Sequence, residues 1–391
     1  MHRGDLARDG HPAEATLNAA AVKRLKTAWQ VEMSGAVNGT PAVAGGVVVA
    51  ASGGGVVAAY RLDSGARVWQ LNNLGAISGS PTIAAGKVVV GTLSGHIIAI
   101  GLDGTLLWDS IVPGLKPAIW SSPTVYGQLV LAGVASQYGD EPLEEGVVVA
   151  FDLATGSQMW ELCARTVARA GCLQGDGIWS SPAIDAAARG FIGVGNPDDG
   201  VLAFEVATGK PLWFTSFHPD AGRDVDVGAT PIVLQAGGRE AIAVGSNAGV
   251  FKLLDAASGS VVWSRDLVQG SAVHGLLASP AYDGNNFYVP SAGVPVGVFA
   301  LAAADGKTLW TYDSGLPVYS APAIGQGVLV FGIGDVFGNP NVGGMVVLSS
   351  RDGSVLWLTD FHSAVFSGPA ISGDTVLIGN SRGDLIAYRP V

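Results

Sequence analysis

Short apolar runs alternate with glycine-rich turns along the whole chain. The run at residues 147–151 leads into a recurring pattern, which is a small polar residue, Gly, three further residues and Trp. A tight turn needs the positive φ that Gly provides, and the returning strand then places Trp in a packed layer. The pattern predicts a β-hairpin at each of its seven copies, which begin at Ser64, Asp103, Thr155, Thr208, Ser258, Asp305 and Asp352.

A second repeated feature is a small residue followed by Pro, which opens an apolar segment between successive Trp patterns. Its eight copies lie at residues 40–41, 80–81, 122–123, 181–182, 230–231, 279–280, 321–322 and 368–369. Each unit therefore contains four predicted antiparallel strands, the first beginning at Pro and the fourth carrying Trp. A repeat of roughly 40 to 50 residues is typical of propeller blades or solenoid turns.

The two repeats differ by one copy, and Trp29 resolves the difference. It stands before the first Pro strand, whereas the chain ends on a third-strand pattern at residues 384–388 with no fourth strand. The Trp29 strand is expected to complete the last blade, which closes a ring and leaves no open array end. The sequence predicts an all-β, eight-bladed propeller over 25–391, with blade eight formed by 364–391 plus 25–33. Residues 1–24 are predicted to form an arm over one face.

The composition favours an acidic protein with many turns. The chain has a net charge of −11, 57 Gly and only 14% charged residues. An acidic surface disfavours nucleic acid and anionic membranes as partners. Residues 33–60 carry no charge, but their many Gly residues indicate strand–turn–strand rather than a membrane span.

The two cysteines, Cys163 and Cys172, lie close together between blades three and four. They predict a loop-closing disulfide and hence an oxidising compartment, with two unpaired thiols as the alternative. The polar first residues contain no apolar signal-peptide core. We expect a periplasmic or extracellular protein.

Loop length singles out one face of the predicted ring. Second-to-third-strand loops and blade-to-blade connections share a face, here called the loop face. The five long insertions all belong to it, at residues 134–146, 163–177, 216–227, 290–296 and 334–344. Function is expected there, centred on blades three to five.

Oxygen-bearing side chains collect in these insertions. Glu141 lies in the blade-three loop, Asn196 in the blade-four loop, and Asp224 and Asp226 in the connection from blade four to five. Such a set suits a hard cation such as Ca²⁺. The alternative is that these residues cap turns in their own backbone. Trp179 begins the inner strand of blade four, and Trp120 has the same position in blade three. The alternative is that both are packing residues.

The Trp pattern resembles the tryptophan-docking repeat of pyrroloquinoline-quinone (PQQ) propellers, as at residues 149–160. The resemblance covers nearly the whole chain. Residues 3–11 are similar to the start of mature quinoprotein alcohol dehydrogenases and polyvinyl-alcohol dehydrogenases, and residues 222–231 are similar to the latter.

The resemblance implies roles for named residues. Glu141, Asn196 and Asp224 would hold a Ca²⁺ ion, and Asp226 matches the extra ligand of lanthanide-using relatives. Asp224 would also be the catalytic base, and the quinone would stack on Trp179. An alcohol would be the substrate, with an external electron acceptor.

Two features depart from the family pattern. Asn247 stands where the family has Arg or Lys beside the quinone oxygens, and the vicinal Cys pair against the quinone is absent. The alternative function is therefore a non-catalytic scaffold that binds a protein partner, similar to the outer-membrane assembly lipoprotein of the same fold. In either case a monomer is expected.

Overall fold

The computed structural model describes residues 4–164, 174–218 and 224–391. The order of elements begins with α1 (Ala19–Val22) and β1 (Leu25–Glu32). Eight four-stranded antiparallel sheets follow, each with its strands adjacent in chain order except where β1 joins the last. Blades one to four comprise β2 (Ala42–Ala44), β3 (Val47–Ala51), β4 (Val57–Arg61), β5 (Arg67–Leu71); β6 (Thr82–Ala84), β7 (Lys87–Gly91), β8 (His96–Gly101), β9 (Leu106–Ile111); β10 (Thr124–Tyr126), β11 (Leu129–Val134), β12 (Val147–Asp152), β13 (Gln158–Cys163); and β14 (Ala183–Ile184), β15 (Arg189–Val194), β16 (Gly200–Glu205), β17 (Pro211–Ser216).

The remaining blades close the ring. They comprise β18 (Ile232–Ala236), β19 (Arg239–Gly245), β20 (Val250–Asp255), β21 (Val261–Asp266); β22 (Ala281–Tyr282), β23 (Asn286–Ser291), β24 (Gly297–Ala302), β25 (Thr308–Asp313); β26 (Ala323–Ile324), β27 (Val328–Gly334), β28 (Gly343–Ser349), β29 (Val355–Asp360); and β30 (Ala370–Ser372), β31 (Thr375–Gly379), β32 (Asp384–Pro390). Strand β1 pairs with β32, with Trp29 opposite Ala387. The predicted eight-bladed propeller and its closure by the Trp29 strand are confirmed.

The hydrophobic core lies between neighbouring blades. Val49 and Val57 of blade one pack in one cluster with Val88 and Ile98 of blade two. The second and third strands are buried on both faces, which explains why they are apolar without alternation. Full burial of each such side chain contributes about 1.5–3 kcal/mol.

The glycine of the Trp pattern has a second role beyond the turn. Gly65 has a φ of 70°, and a Cβ there would lie 2.7 Å from Cδ2 of Trp29 in the preceding blade. Each repeat therefore provides a glycine surface for its neighbour's indole. At six of these tryptophans the indole Nε1–H also donates to a backbone carbonyl of the next blade, at 2.8–3.2 Å. The pairs are Trp29–Leu62, Trp69–Leu102, Trp108–Leu153, Trp213–Ala256, Trp263–Ala303 and Trp310–Ser350.

A belt of hydroxyl groups links the inner strands of blades one to six. The hydroxyl of Ser80 accepts from the backbone N–H of Thr40 at 2.9 Å, and Ser122 accepts from Ser80 at 2.9 Å. The same bond continues around the ring from Ser122 to Ser181, Thr230 and Ser279. Each hydroxyl therefore satisfies a buried N–H of the preceding blade, which is why Ser or Thr recurs before Pro.

The N-terminal segment crosses the opposite end of the channel from the loop face. The carbonyls of Leu6, Ala7, Asp9 and Gly10 each accept at 2.9 Å from an inner strand of blades four to seven, at Ile184, Val233, Tyr282 and Ile324. Arg8 is completely buried at the centre. Its Nε donates to the carbonyl of Pro182 at 3.2 Å, and its Nη2 donates to the hydroxyl of Thr124.

Replacing Arg8 with Ala is expected to lower the free energy of unfolding by about 2–3 kcal/mol, because it removes buried charge-assisted hydrogen bonds. Chemical denaturation would measure the loss. Arg24 is the matched control, since it is exposed and donates to the carbonyl of Val391. Arg24→Ala should change stability by less than about 0.5 kcal/mol. Equal losses in the two variants would contradict the anchoring role of Arg8.

Nowhere in the described parts of the chain does a helix have the length and apolarity to cross a membrane.

Candidate functional site

The side chains of Trp179 and Asp226 come together on the loop face between blades four and five. Trp179 lies in the connection from β13 to β14, and its Nε1–H donates to Oδ2 of Asp226 at 2.6 Å. A Cβ on Gly228 would lie 1.7 Å from Cζ2 of Trp179. The missing side chain at Gly228 therefore provides the space for the indole, and Asp226 fixes its orientation.

The carboxylate of Asp226 is held on both oxygens. Its Oδ1 accepts the backbone N–H of Asn196 at 3.0 Å, and the group packs against Gly195. The pKa of Asp226 is raised to about 6, mainly by burial; the negative charges of Asp224 and Asp140 contribute to the rise, whereas the hydrogen bonds from Trp179 and Asn196 oppose it. No basic side chain among the described residues contributes to the pKa of Asp226.

Asp224 and Asp226 project from the same side of their segment. The intervening Val225 and the following Val227 are buried at 1% and 0% exposure. In extended backbone, residues two apart share a face, so the two carboxylates face away from the core together. Asp224 is exposed at the surface. Partial burial raises its pKa, the charge of Asp140 adds to this, and a hydrogen bond with Asp226 lowers it.

The carboxylates of the blade-three loop, between β11 and β12, have different roles. Both oxygens of the buried Glu144 accept backbone N–H groups, from Lys116 at 2.5 Å and from Leu115 at 3.2 Å. Glu144 therefore fastens the loop to the preceding connection. Asp140 is the loop residue whose charge acts on Asp224 and Asp226. The side chain of Glu141 is exposed, and its role as a ligand stays a prediction.

Asn196 and Asn247 contribute to the site mainly through their backbone. The carbonyl of Asn196 accepts from the N–H of Asp176 at 2.8 Å, and its side chain is half-buried. The N–H of Asn247 donates to the carbonyl of Asp226 at 2.8 Å. Asn247 is 2% exposed, and its Nδ2 donates to the carbonyl of Ala272 at 3.0 Å. Its buried Oδ1 has no partner among the described residues.

The oxygens of Asp224, Asp226 and Asn196 are hard donors of the kind that Ca²⁺ or a lanthanide ion would draw on. In the described ranges, no three His, Cys, Asp or Glu side chains form a ready metal cluster. A cation bound beside Asp226 would nevertheless favour its ionised form, which burial disfavours. The predicted disulfide involves Cys172, which lies outside the described residues, as do residues 3 and 219–223.

Gly228→Ala is expected to displace the indole of Trp179 and break its bond to Asp226, at a cost of about 1–3 kcal/mol in unfolding free energy. Gly53 is a matched control, because a Cβ there would meet nothing closer than 3.7 Å. Denaturation curves of both variants would check this. A Gly228→Ala protein as stable as Gly53→Ala would contradict the tight packing.

The fold and site together define a PQQ-type propeller: eight blades that each carry a tryptophan on the fourth strand, with carboxylates at the loop face. The chain belongs to the PQQ_2 family, described as outer membrane protein assembly factor BamB, whose pattern matches residues 16–162, 144–296 and 246–391.

Three relatives show the range of this fold. A polyvinylalcohol dehydrogenase from Pseudomonas sp is 26% identical over 386 residues, covering 80% of this chain and 60% of the relative. Outer membrane protein assembly factor BamB from Burkholderia pseudomallei (strain K96243) is 28% identical over 219 residues, covering 55% of this chain and 49% of the relative. The chain thus spans less than two thirds of the length of either. A europium-containing methanol dehydrogenase superposes with a TM-score of 0.84 at 18% identity, covering 100% of this chain and 97% of the other, a likeness of fold.

Proposed function

We propose that this protein is a PQQ- and metal-dependent dehydrogenase that oxidises a small or polymeric alcohol. The observation that carries the proposal is the arrangement of Trp179, Asp226 and Asp224 at the loop face. An oriented indole lies beside two carboxylates that face the same side, and no basic side chain among the described residues contributes to the pKa of either. The dehydrogenase relative of Pseudomonas sp supports the same assignment.

When bound, the quinone would supply the electron acceptor and the cation would supply Lewis acidity. The residues of this chain do the rest. The indole of Trp179 offers a flat apolar surface, held in place by Asp226 and Gly228. Asp226, Asp224 and the side-chain oxygen of Asn196 offer negative and neutral oxygen ligands to the cation.

Asp224 is the proposed general base. Its carboxylate is exposed, so a substrate hydroxyl has access to it. Its raised pKa makes the carboxylate a stronger proton acceptor. In this scheme an oxygen of Asp224 takes the hydroxyl proton of the alcohol.

Asn247 is the residue that fits an anionic quinone least well. Its Nδ2 is already bonded to Ala272, so the side chain presents an acceptor where a donor would be favoured. The loss of a charge-assisted contact costs about 1.5–3 kcal/mol. We therefore infer weaker quinone binding than a site with Arg or Lys at this position would provide.

A periplasmic or extracellular location, an external electron acceptor and a monomeric state complete the proposal. The test is reduction of an artificial dye by purified protein supplied with PQQ, an alcohol and either Ca²⁺ or La³⁺. Alcohol-dependent reduction that requires both additions supports the proposal. No reduction with either metal at saturating quinone would reject it.

A scaffold function is the second candidate, and a specific feature favours it. The outer strand β9 exposes Leu106, Leu107 and Ile111, at 51%, 44% and 64%. Apolar side chains on an exposed edge strand suit a protein partner. The assembly-factor relative supports this alternative. Absence of quinone binding together with a partner that protects β9 from hydrogen exchange would favour it over the enzyme.

A further inference from the structure

A second concave surface lies on the loop face, between blades two and three. Its volume is about 340 Å³, within the range of about 300–1,000 Å³ of small-molecule sites. It is lined by Ala76, Leu93, Ser94, Trp120, Gln137 and Tyr138, together with Gly75. We call it the Trp120 pocket. None of these side chains takes part in the proposed function.

Hydrogen bonds hold the walls of the Trp120 pocket in place. The Nε1–H of Trp120 donates to the carbonyl of Ser136 at 2.9 Å, which fixes the indole. The Nε2 of Gln137 donates to the carbonyl of Leu93 at 3.3 Å and so ties the blade-three loop to blade two. Tyr138 is 80% exposed. An exposed tyrosine beside a fixed indole and a leucine forms an apolar surface open to a ligand.

The blade-three loop links the Trp120 pocket to the carboxylate site. The N–H of Asp140 donates to the carbonyl of Gln137 at 3.1 Å, so Tyr138 and Asp140 belong to one turn. The charge of Asp140 in turn acts on Asp224, the proposed base. The turn that supplies Tyr138 to the pocket therefore also brings Asp140 close enough to Asp224 for their charges to interact.

We propose that the Trp120 pocket binds the hydrocarbon segment of a long or polymeric alcohol whose reacting hydroxyl lies at Asp224. The inference rests on the proposed function and deepens it. Trp120, Tyr138 and Leu93 complement methylene groups, whereas the hydroxyl of Ser94 and the amide of Gln137 can meet hydroxyls spaced along the chain. None of the lining residues that the structure describes is charged, which favours a neutral ligand over an ionic one.

Isothermal titration of the full chain with polyvinyl alcohol, without quinone or metal, tests the pocket directly. Tyr138→Ala is expected to weaken binding about tenfold, while Tyr138→Phe keeps the aromatic surface and most of the affinity. Phe337→Ala is the matched control, because Phe337 is also an exposed aromatic, at 43%, in the blade-seven loop of the same face. Its affinity should equal that of the unaltered protein. A melting curve of each variant confirms that it folds.

The outcomes separate this inference from the proposed function. Polymer binding that is weakened in Tyr138→Ala, in a protein without alcohol-dependent dye reduction, supports the pocket and rejects the oxidation. Dye reduction with 2-propanol, combined with no polymer binding by the unaltered protein, supports the oxidation and overturns the pocket. Equal affinities of Tyr138→Ala and Phe337→Ala for the polymer also overturn it.

Discussion

Ca²⁺ or La³⁺ is expected to raise the melting temperature at about pH 7.5 and to have little effect at about pH 4.5. Asp226 has a pKa raised from 3.8 to about 6 in the folded protein. The protonated form of Asp226 tolerates burial better than the ionised form, so the fold has the full contribution below the unfolded pKa of 3.8. This contribution is lost as the pH rises through 6, because the buried carboxylate then ionises. The loss amounts to about 2–3 kcal/mol, the free-energy equivalent of the shift.

A bound cation would reverse that loss, because it favours the ionised form of Asp226. At a hundredfold excess over its dissociation constant a ligand adds about 2.7 kcal/mol of stability. Below the pKa of Asp226 a proton competes with the cation, and the effect should disappear. Calorimetric scans across this pH range, with and without the metal, measure both trends.

Asp226→Asn should flatten the pH profile and remove the response to metal. Asp374→Asn is a suitable control, because Asp374 is an exposed carboxylate in the blade-eight turn on the opposite face. An unchanged metal response in Asp226→Asn, or a response lost equally in Asp374→Asn, would contradict a cation at Asp226.

Asp224→Asn is expected to lower kcat for alcohol-dependent dye reduction by about 10²–10⁴-fold, the usual contribution of a general base. Its unfolding free energy should change by less than about 0.5 kcal/mol, since the side chain is exposed. Steady-state kinetics and denaturation of the same preparation check the two expectations. A large loss of stability with intact activity would mark Asp224 as structural.

Two companion variants decide which blade-three carboxylate assists Asp224. Asp140 acts electrostatically on Asp224 and Asp226, whereas Glu141 is implicated by family resemblance. Loss of metal-dependent stabilisation in Glu141→Gln but not in Asp140→Asn would support Glu141 as a ligand. Loss of metal-dependent stabilisation in Asp140→Asn but not in Glu141→Gln would instead support Asp140 as the ligand.

The architecture could be predicted because its signals are local and repeated. A glycine turn and a tryptophan four residues later define each hairpin, and Trp29 shows how the ring closes. The contacts between blades were not predicted, since they join residues about one repeat apart. Gly65 receiving Trp29 and Ser80 accepting from Thr40 are examples. The buried position of Arg8 is likewise a consequence of the closed ring.

The sequence predicts which residues belong to the site better than it predicts the contacts between them. The sequence places Trp179 and Asp226 in the same sector, but they are 47 positions apart, and their hydrogen bond depends on the gap at Gly228. Glu144 appears in the sequence as one acidic loop residue among several, yet its oxygens hold backbone N–H groups. Which carboxylate faces a ligand depends on loop conformation, which composition and spacing do not determine.

Equilibrium binding of PQQ to the purified chain in the presence of La³⁺ or Ca²⁺, followed by calorimetry, tests the proposed quinone site most directly. We expect one quinone per chain with micromolar affinity, enhanced by the metal, and lost in Gly228→Ala, which displaces the indole of Trp179. No binding at micromolar concentrations with either metal, or full binding by Gly228→Ala, would contradict it.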